Sequence, residues 1–434
     1  MQDLFSQLYS QVLAPEIPPL TEEQQQLLHQ LAIDENSPGT ILRDFQTLLE
    51  FLHPNGIQVS GIHNLFPLKL LPSLNSRLSH PIETNLKRPQ QKSYPYINGL
   101  YLLLRASGLS QIKQLGKKQT LVLDETVLQS WTKLNPTERY FTLLEAWMIL
   151  GNEEILGERY DPTGNLFKCL HFWARIPDKG LKIAKYTDQN EFSYYPGIHN
   201  IALLDLFGFL SVQSGKPEAG KGWRITRLQR LPFGDAMLRL LFAIYGKKGF
   251  VWESQSNVNV VFGELQTHFQ PFFPEWKNNL VLTSSSEFTE GIYIFKVSLA
   301  KAWRRIAIPA KLELDCLSDS ILDAFDFDSD HLYQFRYKDR FGRSGQVSHP
   351  YCEESPSTTE VRVGELPLQP GDRMIFLFDF GDNWEFDVQL EEIQPPNAKI
   401  KKPKILKRYG EAPSQYGNEE DDWEEEDDWN DEDE

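Results

Sequence analysis

The stretch RMIFLFDFGDNWEFDVQL, residues 373–390, constrains the fold more than any other part of the chain. Met374, Phe376 and Phe378 alternate with Ile375 and Leu377, while Trp384, Phe386, Val388 and Leu390 alternate with Glu385, Asp387 and Gln389. A period of two puts successive side chains on opposite faces of an extended strand. The second strand thus has a core face and a solvated face, and the first is apolar on nearly both, as a central strand is. Between them Gly381, Asp382 and Asn383 are types that tolerate positive φ, so the spacing predicts a three-residue reversal. Asp379 shares the face of Ile375 and Leu377, and a carboxylate there needs a donor, for which Arg304 or Arg305 is available.

The same alternation marks a strand over 293–299 and another, RRIAI, running to Pro309. Leu314, Leu317, Ile321, Leu322 and Phe325 follow at helical spacing, LYQFRY at 332–337 returns to strand, and 343–359 reads as a polar loop. Residues 288–417 are therefore expected to form an α+β domain. Upstream the pattern is helical. Thr21 before Glu22 and Glu23 starts one helix, and Ile41, Phe45, Leu48, Leu49 and Leu52 form the apolar stripe of a second. Two stretches then align 100 residues apart, LRASGLSQI at 104–112 and LDLFGFLSV at 204–212, and the offset also pairs TVLQ at 126–129 with TRLQ at 226–229. Each reads helix, glycine stop, strand, loop, strand, helix. The expectation is an α+β multidomain chain: a helical region 1–95, winged-helix-like units at 96–150 and 198–270 flanking a connector 151–197, the domain at 288–417, and a tail at 418–434.

Composition narrows the function classes. No apolar run approaches the ~18 residues of a membrane span, and MQDLFSQLYSQV lacks a basic-then-apolar signal, so the expected location is cytoplasmic. Cys169, Cys316 and Cys352 form no CxxC pair, which argues against a disulfide framework or a zinc site. Most of the net charge of −17 belongs to one place: EEDDWEEEDDWNDEDE, residues 419–434, holds 13 acidic groups and no basic one. So dense a like-charge block cannot bury itself. It is either a solubilising tail or a polyanion competing for a basic surface, with Trp423 and Trp429 as anchors.

Two enzyme motifs fail on inspection. DFG at 379–381 has neither a glycine-rich phosphate loop nor an HRD motif before it. DFDSD at 326–330 opens like a calcium loop, but position six is His331 and position twelve Tyr337. What survives is a loose set, Asp330, His331, Asp379 and Asp382, that neighbouring strands would bring together for hydrolytic or metal chemistry. Lone His and Asp residues at strand ends also serve as caps and turn formers. No metal site and no cofactor is implied. Lys113, Lys117, Lys118, Lys216, Lys221, Arg224 and Arg227 cluster on the expected wings, where nucleic-acid phosphates would be met. Six further lysines and arginines, with no acid among them, lie between 397 and 410.

YIFKVSL, WRRI at 303–306, DHLYQF at 330–335, FDFGDNW at 378–384 and GEAP at 410–413 follow in an order that resembles the Ri-plasmid open-reading-frame-three-like family. The motif residues are Trp303, Arg304, Arg305, Asp330, His331, Tyr333, Asp379, Gly381, Asp382 and Trp384. KRPQQKSYP at 87–95 is similar to the N-terminal extension of longer members. The resemblance implies a compact α+β domain associated with plasmids and insertion elements, without an established reaction. Members carry tryptophan near the position of Phe327, and many end in a Pro-Glu-Asp-Cys-Gly-Gly type of segment where EAPSQY stands here. Three functions follow as expectations: a non-enzymatic adaptor or regulator binding protein or nucleic acid, a metal-dependent hydrolase or nuclease using the Asp330 set, or an acidic-tail chaperone or nucleic-acid mimic.

Overall fold

The computed structural model describes residues 18–245, 262–282 and 288–416, apart from Ser60, Ile62, Gly116, Lys117, Tyr160 and Pro162. The opening MQDLFSQLYSQV, Lys117 and the acidic run 419–434 lie outside the described residues. The chain divides into two compact units, Met1–Thr283 with Arg340–Arg343, and Ser284–Asp339 with Ser344–Glu434. Mixed helix and sheet are unevenly shared, with most helices in the first and a large antiparallel sheet in the second.

In the first unit, Thr21 caps α1 (Glu22–Gln30) through a reciprocal bond with Gln24. Helix α2 (Ile41–Leu52) buries Ile41, Phe45, Leu48, Leu49 and Leu52, the stripe expected from their spacing. A short β1 (Ile57–Gln58) follows, then α3 (Pro95–Ala106) and the hairpin β2 (Ser110–Leu115)–β3 (Lys118–Leu123). Asp124 caps α4 (Glu125–Lys133), and α5 (Pro136–Met148) and α6 (Gly164–Ala174) come next. The pattern then recurs: β4 (Leu181–Lys182), α7 (Ile198–Leu206), the hairpin β5 (Leu210–Gly215)–β6 (Arg224–Arg230), and α8 (Pro232–Tyr245).

Both three-stranded sheets place the short strand beside the second hairpin strand, in the orders β1-β3-β2 and β4-β6-β5. Gly108 and Gly208 sit at φ 72° and 74° just after α3 and α7, where a left-handed residue ends each helix. The 100-residue offset does not survive the hairpins. Only residues 116–117 link β2 to β3, whereas 216–223 link β5 to β6, so Thr126 lies on α4 while Thr226 lies on β6. The two short strands, too brief to show alternation, were not anticipated.

Helices α3 and α7 pack on one another. Every residue of α3 is buried, as is every residue of α7 after Ile198. Gly99 makes the close approach possible, since a Cβ there would lie 2.7 Å from Leu203 Cγ.

The second unit is a seven-stranded antiparallel sheet ordered β10-β9-β11-β12-β7-β8-β13. Its strands are β7 (Ile292–Leu299), β8 (Ala302–Pro309), β9 (Tyr333–Lys338), β10 (Ser344–Ser348), β11 (Arg373–Phe378), β12 (Trp384–Gln394) and β13 (Lys404–Tyr409). Helix α9 (Asp315–Phe325) closes one core with Phe295, Ile306, Phe335, Phe376, Phe386 and Val388. Strand β11 is central, paired on both sides, as its two apolar faces imply. Two edge strands correct the sequence reading. Residues 344–348 pair with β9 rather than forming loop, and the lysine-rich run ends in β13, paired with β8. Among the described residues no helix is long and apolar enough to cross a membrane.

Candidate functional site

The reversal between β11 and β12 runs from Asp379 to Asn383, because Phe378 pairs with Trp384. It is five residues, not three. The left-handed positions are Asp379 at φ 56° and Asn383 at φ 55°, and Gly381 is not among the positive-φ residues. Asp379 builds the turn with three of its polar groups. Its Oδ1 accepts the Gly381 N–H at 2.8 Å, its carbonyl accepts the Asn383 N–H at 2.7 Å, and its own N–H donates to the Leu332 carbonyl at 3.0 Å. The last bond ties the reversal to the start of β9.

That tie brings His331 between two carboxylates, with Nε2 3.5 Å from Asp379 Oδ2 and 3.6 Å from Asp330 Oδ1. The donor that Asp379 needs is therefore the Gly381 N–H, with His331 at ion-pair distance from its other carboxylate oxygen. Neither arginine supplies it: Arg304 donates to the carbonyls of Ala324, Tyr409 and Gly410, and Arg305 pairs with Glu391 and Glu392. Asp330 is exposed and held from the other side. Tyr416 donates to its Oδ2 at 2.9 Å, and Gln415 to its Oδ1 at 3.4 Å. The tyrosine hydroxyl holds the Asp330 carboxyl below its ordinary value, and in return the phenol is raised. Asp382 stays exposed at the tip of the turn. Three of the four expected residues thus converge. Among the described residues no group of three His, Cys, Asp or Glu side chains is placed to hold a metal ion.

The other motif residues are structural in their contacts. Trp384 packs edge-on against Phe327 at 5.1 Å, with its Nε1 buried and without a hydrogen-bond partner among the described residues. Tyr333 is buried, its hydroxyl 3.2 Å from Thr358 Oγ1. Trp303 stacks on Tyr409 at 5.7 Å. Gln415, Tyr416 and Tyr409 were missed by sequence reasoning. Gln415 and Tyr416 fall where the chain departs from the resembling motif, and Tyr409 was hidden in the basic run.

The expected wing cations separate into two kinds. Lys113, Lys118, Lys216, Lys221 and Arg227 are exposed, Lys221 over the ring of Tyr186 and Arg227 donating to the Lys179 carbonyl. Arg224 is buried and donates to the carbonyls of Ile183 and Ala184 at 2.9 and 3.0 Å. Its guanidinium has no face left for a phosphate, which corrects its inclusion among the wing cations.

A titratable cluster with no sequence motif sits at the base of the second hairpin. Buried Asp205 accepts from the Tyr96 hydroxyl at 2.7 Å and from the Val212 N–H at 3.0 Å, and lies 2.9 Å from His80 Nδ1. The bond to Asp205 raises the pKa of His80, while burial raises that of Tyr96 well above the usual phenol value. Elsewhere the Lys168 ammonium is buried between Glu153 and Asp161, 2.8 Å from the latter.

No curated protein matches the chain. A crystal structure of a protein of unknown function from Methanosarcina mazei Go1 is 23% identical, covering 27% of this chain and 69% of its own, at a TM-score of 0.25. The C-terminal domain, residues 292–424, matches the plasmid pRiA4b ORF-3-like protein family.

Proposed function

We propose that the chain is a non-enzymatic adaptor or regulator, in which a tandem of winged-helix-like units accompanies the C-terminal family domain and touches the backbone of nucleic acid. The supporting topology is the twofold recurrence of helix, two-stranded hairpin and a short third strand on the second hairpin strand. The observation that carries the reading is the mutual burial of α3 and α7. In a winged helix, the helix before the hairpin is the one that enters the major groove. Here both such helices face each other, while Lys113 and Lys118 on one hairpin and Lys216 and Lys221 on the other stay exposed. Such a surface meets phosphates and reads no bases.

The test is binding of a random-sequence 20-base-pair duplex to the full chain, followed by fluorescence anisotropy. Affinity falls by orders of magnitude between about 50 and 200 mM salt if several phosphates are neutralised. Lys216→Gln with Lys221→Gln lowers the salt slope by about two, because each removed contact releases roughly one counterion fewer. Affinity that ignores both salt and these substitutions refutes the reading.

The approach of His331 to two carboxylates supports one second reading, a hydrolase or nuclease at Asp330, His331 and Asp379, which these three side chains are not by themselves arranged to supply with a metal ion. It requires a hydrolytic activity that disappears in Asp379→Asn with the fold retained. Activity equal in both proteins disposes of it.

A further inference from the structure

We propose that the chain's own acidic segment, residues 419–434, docks on the outward sheet face formed by β7, β8 and β13, around Trp303 and Tyr409. The proposal is independent of nucleic-acid binding by the hairpins.

Register defines the face. Tyr409 pairs with Trp303, Lys407 with Arg305 and Lys404 with Ala307, and Trp303 and Arg305 in turn pair with Ser298 and Lys296. Since paired residues share a face, Lys404, Lys407, Tyr409, Trp303, Arg305 and Lys296 all lie opposite the Phe295–Ile306 core. The Trp303 and Tyr409 rings stack at an interplanar angle of 16°, and Lys296 Nζ and Lys407 Nζ lie 5.2 and 5.5 Å from the Trp303 centroid. Tyr409 is 61% exposed. A ring quadrupole attracts an ammonium without cancelling its charge, so it does not replace a counterion for either lysine.

The acids nearby are already committed. Glu391 and Glu392 pair with Arg305 at 2.6 and 2.9 Å, and Asp387 pairs with Arg373. No described carboxylate lies within ion-pair distance of Lys296, Lys404 or Lys407, and exposed Lys399, Lys401 and Lys402 extend the positive strip. The result is a stripe of unpaired ammonium groups with an aromatic pair at one end.

The occupant has the complementary chemistry. Residues 419–434 hold 13 carboxylates and two indoles, Trp423 and Trp429. The indoles are six residues apart, an even number, so in an extended segment they share one side, about 20 Å apart. Reach is sufficient. Tyr416 is fixed by Asp330 beside the reversal at residues 379–383, and Asp387, three positions from Trp384 on β12, is in register with Ser298 and hence with Trp303. Three strand spacings and three residue rises separate that end from Trp303, roughly 15 Å by 10 Å. The eighteen residues after Tyr416 span up to about 60 Å when extended. A tethered ligand meets its site at millimolar effective concentration, so even a weak contact is occupied.

The experiment is zero-length carbodiimide cross-linking of the full chain at low salt, mapped by mass spectrometry. No Lys or Arg follows Arg408, so trypsin releases Tyr409–Glu434 as one peptide and its partners read out directly. The expected result is linkage to Lys296, Lys404 and Lys407 well above linkage to Lys113, Lys118, Lys216 and Lys221. It is lost in about 0.5 M salt, where screening shortens to roughly 4 Å. Mixing isotopically light and heavy chains shows the links to be intramolecular. Lys404→Gln with Lys407→Gln, both exposed and so compatible with the fold, removes most of the linkage, and Trp423→Ala with Trp429→Ala weakens it. Links spread over exposed lysines without preference, or insensitive to these substitutions, overturn the proposal. Links mainly to a second copy, or shielding of these lysines only by added oligonucleotide, assign the face to another occupant and overturn it equally.

Discussion

At φ 56° and 55°, Asp379 and Asn383 occupy backbone that costs an ordinary L-residue about 1–2 kcal/mol, a cost that Asp and Asn reduce by local hydrogen bonding. The two positions and Gly381 therefore respond differently to alanine. Asn383→Ala and Asp379→Ala each lose about 1–2 kcal/mol in urea unfolding, the latter also losing the bond to the Gly381 N–H. Gly381→Ala costs less, about 1 kcal/mol or under, since its φ is not positive; its cost comes from the Asp379 Oδ1, which would lie 3.2 Å from the new Cβ and has to give by a few tenths of an ångström. The residue types made a reversal legible, but alternation cannot say which of five positions turns left-handed. His80 offers a pH test. Its pKa is raised in the folded protein by the bond to Asp205, so its contribution is complete below the ordinary value of 6.5 and is lost as pH rises through the folded value. Stability measured from pH 6 to pH 8.5 should fall, and His80→Gln should flatten that slope. Lys168 is more severe: Lys168→Met leaves Glu153 buried without its cation and costs about 3–5 kcal/mol.

Elements were legible in proportion to their apolar periodicity. Helix α2 and strands β7, β11 and β12 carry strong patterns, and their burial follows the pattern. Strand β10, SGQVS, has one β-branched residue in five, and β13, KILKRY, reads first as a charge run, so neither stood out. The pairing of α3 with α7 had a signal that went unused: YINGLYLLLRA is apolar nearly all round, and such a helix is buried on every side. Arg304 is the element-scale lesson for the motif residues. Conspicuous in sequence, it proves to be a clamp that binds the carbonyls of Tyr409 and Gly410 at one end of β13 and that of Ala324 near the end of α9. Arg304→Leu removes these bonds while preserving bulk, and hydrogen exchange over 404–409 should then accelerate at least tenfold, the equivalent of about 1.4 kcal/mol of local opening.

At the scale of the molecule, the mixture of helices toward the N-terminus and a large antiparallel sheet toward the C-terminus could be read from residue types, whereas the arrangement of functional groups could not. Asp330, His331 and Asp379 meet because a turn bonds to a distant strand, and Asp330 is completed by Gln415 and Tyr416 more than eighty residues away. Contacts of that separation leave no local pattern. The sheet also has a rim whose composition has a consequence for handling the protein. Strand β13 mixes Lys404, Lys407 and Arg408 with Ile405, Leu406 and Tyr409 at the open border of a seven-stranded array. Charged side chains on such a border discourage other chains from adding strands to it. A protein cut before residue 397 would bare β8, whose AWRRIAIP is far more apolar, and turbidity on standing should rise sharply relative to the intact chain. The lysine-studded rim would then serve as the molecule's guard against fibre growth.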